Sequence, residues 1–501
     1  MAGFIEYHNT FRFIAWLCFL TIRYIKCILL LNTRGVCKHM GPLNKTLQSW
    51  GRYPAVEPSQ VIPIFWRNEL PDLATYEQSV LPFAYGRSYG DSCLNEGGVS
   101  LDVSYLNRFI SFDEDEGLLC CEAGISLAEI LNLIVPRGWF LPVTPGTKFV
   151  SVGGAIANDI HGKNHHKAGT FGCHVTRFEL LRSNGARLVC TPSSNSELFR
   201  ATIGGLGLTG VILWAEFRLK PIVNPYIDMD SIRFASLDEF FAISAESDQD
   251  YEYTMSWVDI LIGGKSLCRG KFMRGNHDQS KGLAAKPMKK SLPLAIPIDF
   301  PAFVLNNFTV KAFNEAYYHI QLPKRMHKVV PYDPFFYPLD SIHEWYRLYG
   351  KSGFLQYQFV IPFSEGHEAM REILERIRCS GEGSFLTVLK EFGTRQSPGM
   401  LSFPRPGLTL ALDFSYQGRK TLRLLDELDE IVLRAGGAIY PAKDARMSAE
   451  SFKAYYPQWK EFAQYVDPKF SSSFWRRVVG HEIVQEIPDA TESVMLPTNG
   501  M

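Results

Sequence analysis

Four stretches of this chain gather residue types that handle charge or protons. The first reads Ala84-Tyr85-Gly86-Arg87-Ser88-Tyr89-Gly90-Asp91. Glycine at 86 and 90 permits positive φ and close backbone approach. Successive exposed N–H groups in such a turn form a nest for an anion such as a pyrophosphate, and Arg87 and Ser88 add a cation and a hydroxyl. An ordinary tight turn is the plain alternative. The second stretch follows Pro145-Gly146-Thr147 and reads Ser151-Val152-Gly153-Gly154-Ala155-Ile156-Ala157-Asn158-Asp159-Ile160-His161-Gly162-Lys163-Asn164-His165-His166. Its small residues leave room for a flat ring or a phosphate against the backbone, and its histidines exchange protons near neutral pH. His161 and His165, four apart, would suit a metal on one helix face. Gly162 and the glycine-rich lead-in argue against a helix, and no H-E-x-x-H pattern is present. Packed or solvated histidines remain the bland reading.

The third stretch, Gly205-Leu206-Gly207-Leu208-Thr209-Gly210, spells G-x-G-x-x-G. A dinucleotide fingerprint follows a strand and opens a helix. Here a helical stretch precedes it and the apolar run VILWAEFRL follows, so the order is reversed and a nicotinamide-type cradle is disfavoured. The fourth is Tyr440-Pro441-Ala442-Lys443, where a lysine in an apolar setting can orient a substrate or act in catalysis. A solvated lysine at a helix start is the alternative.

The elements that must hold these stretches fall into two kinds. Residues 45–225 are strand-rich and glycine-rich. Strands are expected at 99–103 and 118–123, and Ser126-Leu127-Ala128-Glu129 is a capping box opening a helix that ends near Pro136. A hairpin over 175–181 and 186–190 turns at Ser183-Asn184-Gly185. A helix over 197–202 and a strand over 211–219 flank the third stretch. Residues 226–437 alternate long amphipathic strands (354–361, 408–414) with helices (365–377, 419–435), the pattern of a sheet covered by helices. Residues 282–301, with Lys286, Lys289, Lys290 and several prolines, read as a long loop. A helical stretch runs from 444 to about 466, residues 438–482 close the globular part, and 483–501 form a polar tail. The fold class is α+β.

Composition narrows the function. The chain has 501 residues, 46% of them hydrophobic, and a formal net charge of zero. It has the core of a globular protein of two or three domains and lacks the basic field that nucleic-acid binding needs. Ten cysteines are scattered without a C-x-x-C pair, as in a reduced protein. Residues 1–40 form an apolar N-terminal extension. Its run 11–31 is about long enough to span a bilayer, but Arg23 and Lys26 lie inside it, each costing roughly 2.5–3.5 kcal/mol near a bilayer centre. Three readings stay open: a helix on or partly in the membrane, a targeting segment, or an upstream extension with Met40 as the natural start. Arg34, Lys38 and His39 would favour an anionic membrane surface.

Taken together and in order, GRSYGD (86–91), NDIHGKNHH (158–166), GGLGLTG (204–210), FLQYQFVIP (354–362) and YPAKDAR (440–446) resemble the vanillyl-alcohol-oxidase-type FAD superfamily, and more closely the decaprenylphosphoryl-β-D-ribose 2′-oxidase family. The likeness spans about residues 48–480. It implies a two-lobed FAD-binding domain, built from 45–225 and 438–482, with an inserted sheet-plus-helices substrate domain over 226–437. By the same resemblance FAD would contact Ala84, Tyr85, Gly86, Arg87, Ser88, Tyr89, Gly90, Asp91, Ser92, Gly146, Ser151, Val152, Gly153, Gly154, Asn158, Asp159, Ile160, His161, Ile212 and Tyr440. The sugar site would be lined by Tyr89, His161, Lys163, Gln356, Gln358, Lys390, Phe392 and Lys443. Many relatives in the superfamily attach flavin through a histidine in the first loop. Tyr89 occupies that stretch here, which implies non-covalent FAD. Some members of the family carry a cysteine where this chain has Ala411, and Thr409 also departs from the pattern.

The implied reaction is oxidation of a ribofuranosyl C2 hydroxyl on a lipid-linked phosphate to a ketone, with hydride passing to the flavin. His161 and Lys443 are the expected proton-handling pair, the base among them undecided, with Lys163 and Lys390 on phosphate and Gln356 and Gln358 on sugar hydroxyls. The family further implies a short-chain NAD(P)H-dependent reductase as partner, arabinan synthesis for the cell envelope, and association with a membrane surface, to which loop 282–301 would contribute. A sugar-alcohol or aldonolactone oxidase acting on a soluble substrate, and a flavoprotein without turnover, are the alternatives.

Overall fold

The computed structural model describes residues 47–264, 267–280, 294–301 and 304–480. The apolar extension 1–40, most of loop 282–301 and the tail 483–501 lie outside the described residues. The architecture is α+β.

The first half of the chain makes a two-stranded pairing of Trp139–Phe140 with Lys220–Pro221 and two larger sheets. Gln60–Pro63, Val99–Asp102 and Val80–Phe83 form a parallel sheet with Val99–Asp102 in the middle. Phe109–Asp113, Leu118–Glu122, Val211–Arg218, Val175–Leu181 and Arg187–Cys190 form an antiparallel one. Local chemistry explains the elements between them. Ser126 Oγ accepts from Glu129 N at 3.2 Å and Ser126 N donates to Glu129 Oε2 at 2.9 Å, a reciprocal cap of about 1 kcal/mol. It starts helix Leu127–Ile134, whose residues Leu127, Ile130, Leu131 and Ile134 are buried at helical spacing. Gly185, at φ +80°, takes the left-handed turn that brings Arg187–Cys190 back onto Val175–Leu181.

Two sequence expectations need correction. Residues 152–157 are not an open cradle but a short helix, Val152–Ala157. Ser151 caps it by accepting from Gly154 N at 3.1 Å. Gly153 lets it press on Ala123, just past strand Leu118–Glu122, where an added Cβ would lie 3.1–3.2 Å from Ala123 atoms; packing overrides glycine's poor helix propensity. The stretch from 444 to 466 is likewise broken, into Ala449–Tyr455 and Trp459–Ala463. Pro457 removes an N–H and forces Tyr456 out of helical geometry, at φ −128° and ψ 70°.

The middle of the chain builds an eight-stranded antiparallel sheet. Its order is Arg325–Pro331, Tyr226–Phe234, Arg269–His277, Tyr253–Asp259, Thr387–Phe392, Gly407–Ser415, Phe354–Ile361 and Ala438–Ile439. Period-two alternation divides its central strands. Leu355, Tyr357, Phe359, Leu408, Leu410 and Leu412 share one core with Ile373, Ile377, Leu424 and Leu428 of helices Phe363–Ser380 and Arg419–Arg434. Gln356, Gln358, Ala411 and Asp413 point to the opposite side.

After this sheet the chain returns to the first half. Val80 N donates to Lys469 O at 2.7 Å, and Arg477 bridges Asp91 (2.7 Å) and Asp444 (2.9 Å). Removing one member of such a buried set costs about 3–5 kcal/mol. The loop carrying Asp91 and the segment carrying Lys443 are thereby locked together.

Candidate active site

The free side of the large sheet faces the glycine-rich loops across a cavity of about 590 Å³, within the roughly 300–1,000 Å³ range of ligand sites. One wall is mostly backbone. Ala84, Tyr85, Gly86, Arg87, Ser88, Tyr89, Ser92, Gly146, Ser151, Gly153, Gly154, Asn158, Ile160, His161, Ile212 and Tyr440 all line it. Tyr440 OH donates to Asn158 O at 2.7 Å and Tyr85 OH to Gly124 O at 2.9 Å, so both rings are fixed. Arg87 stacks its guanidinium 4.0 Å from the Trp50 ring and donates to Phe149 O at 3.2 Å.

Five expected site residues do not line the cavity. Gly90 sits so close to the next segment that a Cβ would fall 1.7 Å from Asp444 O, and Asp91 pairs with Arg477. Val152 is core. Asp159, at φ +41°, accepts from Gly172 N (2.9 Å), Ser397 Oγ (2.5 Å) and Ser402 Oγ (2.5 Å), which ties the loop to the sheet half. Phe392 is fully buried with its ring 4.8 Å from that of His161. These residues shape the cavity without facing it.

The opposite wall is made of side chains. Gln356, Gln358, Lys390, Ala411, Asp413, Lys163 and Lys443 line it. Lys390 Nζ lies 2.9 Å from His161 Nδ1 and donates to Gly162 O at 2.7 Å. The Gln358 carboxamide lies 3.0 Å from His161 Nε2 and 3.3 Å from Thr409 Oγ1. A neutral imidazole accepts at one nitrogen only. The consistent assignment has the Gln358 amide donating to His161 Nε2 and to Thr409 Oγ1, and His161 Nδ1–H donating to the Lys390 amine, which burial holds well below the usual lysine range. Burial, with Lys390, His165 and Lys443 nearby, holds the imidazolium well below the usual histidine range. His161 is thus a neutral, clamped ring. The other two histidines diverge from it: His165 Nδ1 accepts from Gly393 N at 3.2 Å and His166 Nε2 meets Tyr251 O at 2.9 Å. The described residues contain no group of three side chains able to hold a metal.

Lys443 differs. Its Nζ stands 3.8 Å over the Tyr89 ring. Burial pushes its ammonium down to about 7, with Asp413 opposing. Asp413 is the group that sequence reasoning missed, although a lone carboxylate in the apolar run 408–414 was a signal. Burial pushes it up to about 7, while the Gln356 amide at 2.6 Å and the Lys443 charge favour its ionised form. Asp413 and Lys443 line the same cavity, and the charge of each favours the ionised form of the other. Lys163, pushed down to about 8 by burial, donates to Phe336 O at 3.2 Å.

Comparison with known proteins gives this geometry a context. A family model described as an FAD binding domain matches residues 69–191. The chain is 41% identical to the decaprenylphosphoryl-beta-D-ribose oxidase of Mycolicibacterium smegmatis over 415 residues, 80% of this chain and 89% of the relative. The chain belongs to the decaprenylphosphoryl-β-D-ribose oxidase family. As a member it is an FAD-dependent oxidoreductase. An uncharacterised protein of Streptomyces coelicolor is 33% identical over 71% of this chain and its own full length. A putative D-arabinono-1,4-lactone oxidase of Neurospora crassa is 34% identical over only 27% of this chain and 24% of its own length.

The backbone wall fits the family's cofactor. Ser92 Oγ is buried at the cavity without a hydrogen-bond partner among the described residues. The N–H groups of Gly86, Arg87 and Ser88, three successive lining residues, have no acceptor among the described residues. A Cβ built on Gly146 meets nothing within 4 Å, so any larger residue there would take space from the cavity. An unpaired buried hydroxyl and a run of free amides suit a phosphate-bearing ligand.

Proposed function

We propose that this protein oxidises the C2 hydroxyl of a polyprenyl-phosphoryl-β-D-ribose to the 2-keto sugar. The observation that carries this reading is the meeting, in one cavity, of a backbone cradle with a wall of amides and cations. FAD would be held non-covalently by residues 84–89, Ser92, Gly146, Ser151, Gly153, Gly154, Asn158 and Ile160 and would supply the hydride acceptor. The chain's own residues do the rest. Gln356, fixed by Asp413, and Gln358, fixed by Thr409, present amides to sugar hydroxyls.

Lys443 in its neutral form takes the hydroxyl proton, because both nitrogens of His161 are already engaged. A base with a value near the working pH is the efficient choice. Lys390 positions His161, which leaves Lys163 as the cation for the phosphate. The ketone made here suits a separate short-chain NAD(P)H-dependent reductase that yields the arabinose epimer for cell-envelope polysaccharide. A lipid-linked substrate also implies peripheral contact with a membrane surface. No helix of the described residues is long and apolar enough to cross one.

The test is the visible spectrum of the purified holoenzyme under anaerobic conditions. Polyprenyl-phosphoryl ribose should bleach the flavin band, while free ribose and aldonolactones leave it. Bleaching by the soluble sugars alone would move the protein to the soluble-substrate oxidases.

A further inference from the structure

The cavity does not end at the sugar wall. It continues across the large sheet, on the same face, toward the edge strand Arg325–Pro331. Strand register puts these lining residues on one face of the sheet, with Met255 two residues from Trp257 on the same strand. Ala411 pairs with Val388, Val388 with Trp257, Met255 with Met273, Met273 with Ser231, and Ser231 with Met326. Five strand-to-strand steps at about 4.8 Å make a track of about 24 Å. Phe313 and Tyr317, four apart on helix Asn307–His319, roof its middle, with Tyr317 4.6 Å from the Trp257 ring and 4.2 Å from Lys271 Nζ.

Lys271 and Lys328 also line the track, but most of its other polar groups are engaged within the protein. Trp257 Nε1 donates to Phe385 O at 3.0 Å, and Ser231 Oγ donates to Gln321 Oε1 at 2.7 Å while Gln321 Nε2 returns to Ser231 O at 2.9 Å. The floor is rich in methionine, whose unbranched thioether adapts to irregular apolar shapes. At the outer end Ile320 is 37% exposed and Leu322 83% exposed, an apolar lip beside the mouth.

We propose that this track binds the polyprenyl chain of the substrate, its first isoprenes beside Ala411 and Val388 and its distal part leaving past Met326 and Ile320. The inference rests on the lipid-linked reading above and adds the lipid path to it. Long chains then gain affinity from the outer track and short chains do not.

The experiment uses FAD-loaded enzyme, with Met326→Glu and Met273→Gln as separate variants and the flavin spectrum as the check on folding. Substrates are decaprenyl-phosphoryl ribose and farnesyl-phosphoryl ribose in the same detergent. For the long substrate Met326→Glu should raise KM about tenfold with kcat kept, and KM for the short one should stay as in the parent. Equal effects on both substrates, or none on either, would overturn the proposal. Free decaprenyl phosphate, which carries no ribose, gives an independent readout through quenching of Trp257 fluorescence, assigned by difference from Trp257→Phe. If the parent oxidises neither ribose yet binds decaprenyl phosphate, with Met326→Glu binding it about tenfold more weakly, the sugar assignment fails and the lipid track stands. If decaprenyl phosphate leaves Trp257 unquenched, the track is not a lipid site.

Discussion

The two walls of the cavity are built on opposite principles. The cradle over residues 84–92 and 146–160 works through what its side chains leave out: free amides at 86–88, an open flank at Gly146 and a lone hydroxyl at Ser92. The sheet wall works through side chains in mutual contact, with Lys390 on His161, Gln358 between His161 and Thr409, and Gln356 on Asp413. Where the cradle's backbone packs closely, as at Gly90, it tolerates no added atom but is indifferent to charge. A side-chain network tolerates changes of shape and responds to every change of charge. Substitutions in the first region should therefore cost folding or cofactor, and those in the second should move rates and pH dependence.

The harshest break belongs to the cradle. Gly90→Val places a Cβ within 1.7 Å of the Asp444 carbonyl oxygen, and we expect a loss of about 3 kcal/mol or more together with the flavin absorbance. A yellow variant with an unchanged Tm would show that the close approach is not obligatory. Next is Lys443→Ala on the other wall. Flavin content should persist while kcat falls about 10²–10⁴-fold.

In the parent enzyme, turnover should fall as pH drops through about 7, because the protonated amine cannot accept a proton. Full turnover by Lys443→Ala would remove the lysine from the proton path. Asp413→Asn is gentler and sharper. The carboxylate raises Lys443, so its loss lets the lysine fall further and the acid limb of the rate profile should move to lower pH. A limb that stays or rises would uncouple the pair.

The smallest effect is expected at Ala411, which faces the cavity on the sheet wall without a polar role. Ala411→Cys should change kcat by less than about threefold and make the site open to alkylation by a maleimide that leaves the parent enzyme active. Resistance of the variant to labelling would mean that the flavin and its neighbours cover this position.

Legibility in the sequence followed the range of the interactions. The capping box at Ser126 and Glu129, the hairpin at Gly185 and the reversed order around 205–210 all appear where local pattern puts them, since each depends on residues a few positions apart. The alternation of Gln356 and Gln358 with Leu355, Tyr357 and Phe359 likewise marked two faces before any fold was known. Helix Val152–Ala157 was hidden because Gly153 and Gly154 weigh against a helix in isolation, and only packing on Ala123 reverses the balance. The break at Pro457 was written locally and carried less weight than the helical run around it.

The chain's own order of residues determined which chemistry it holds: glycine loops for an anionic, flat cofactor, a histidine and lysines for protons and phosphate, and two glutamines on one face of a strand. Tertiary structure alone decided who does what. It put Lys390, 229 positions away, on His161 and so took the imidazole out of contention as a free base. It set Asp413 and Lys443 in one cavity and drew both to about 7, and it kept Gly90, Asp91, Val152, Asp159 and Phe392 out of the cavity lining. A side chain's type is a local property. Its protonation and its exposure to a ligand are set by desolvation and by neighbours that arrive from distant parts of the chain.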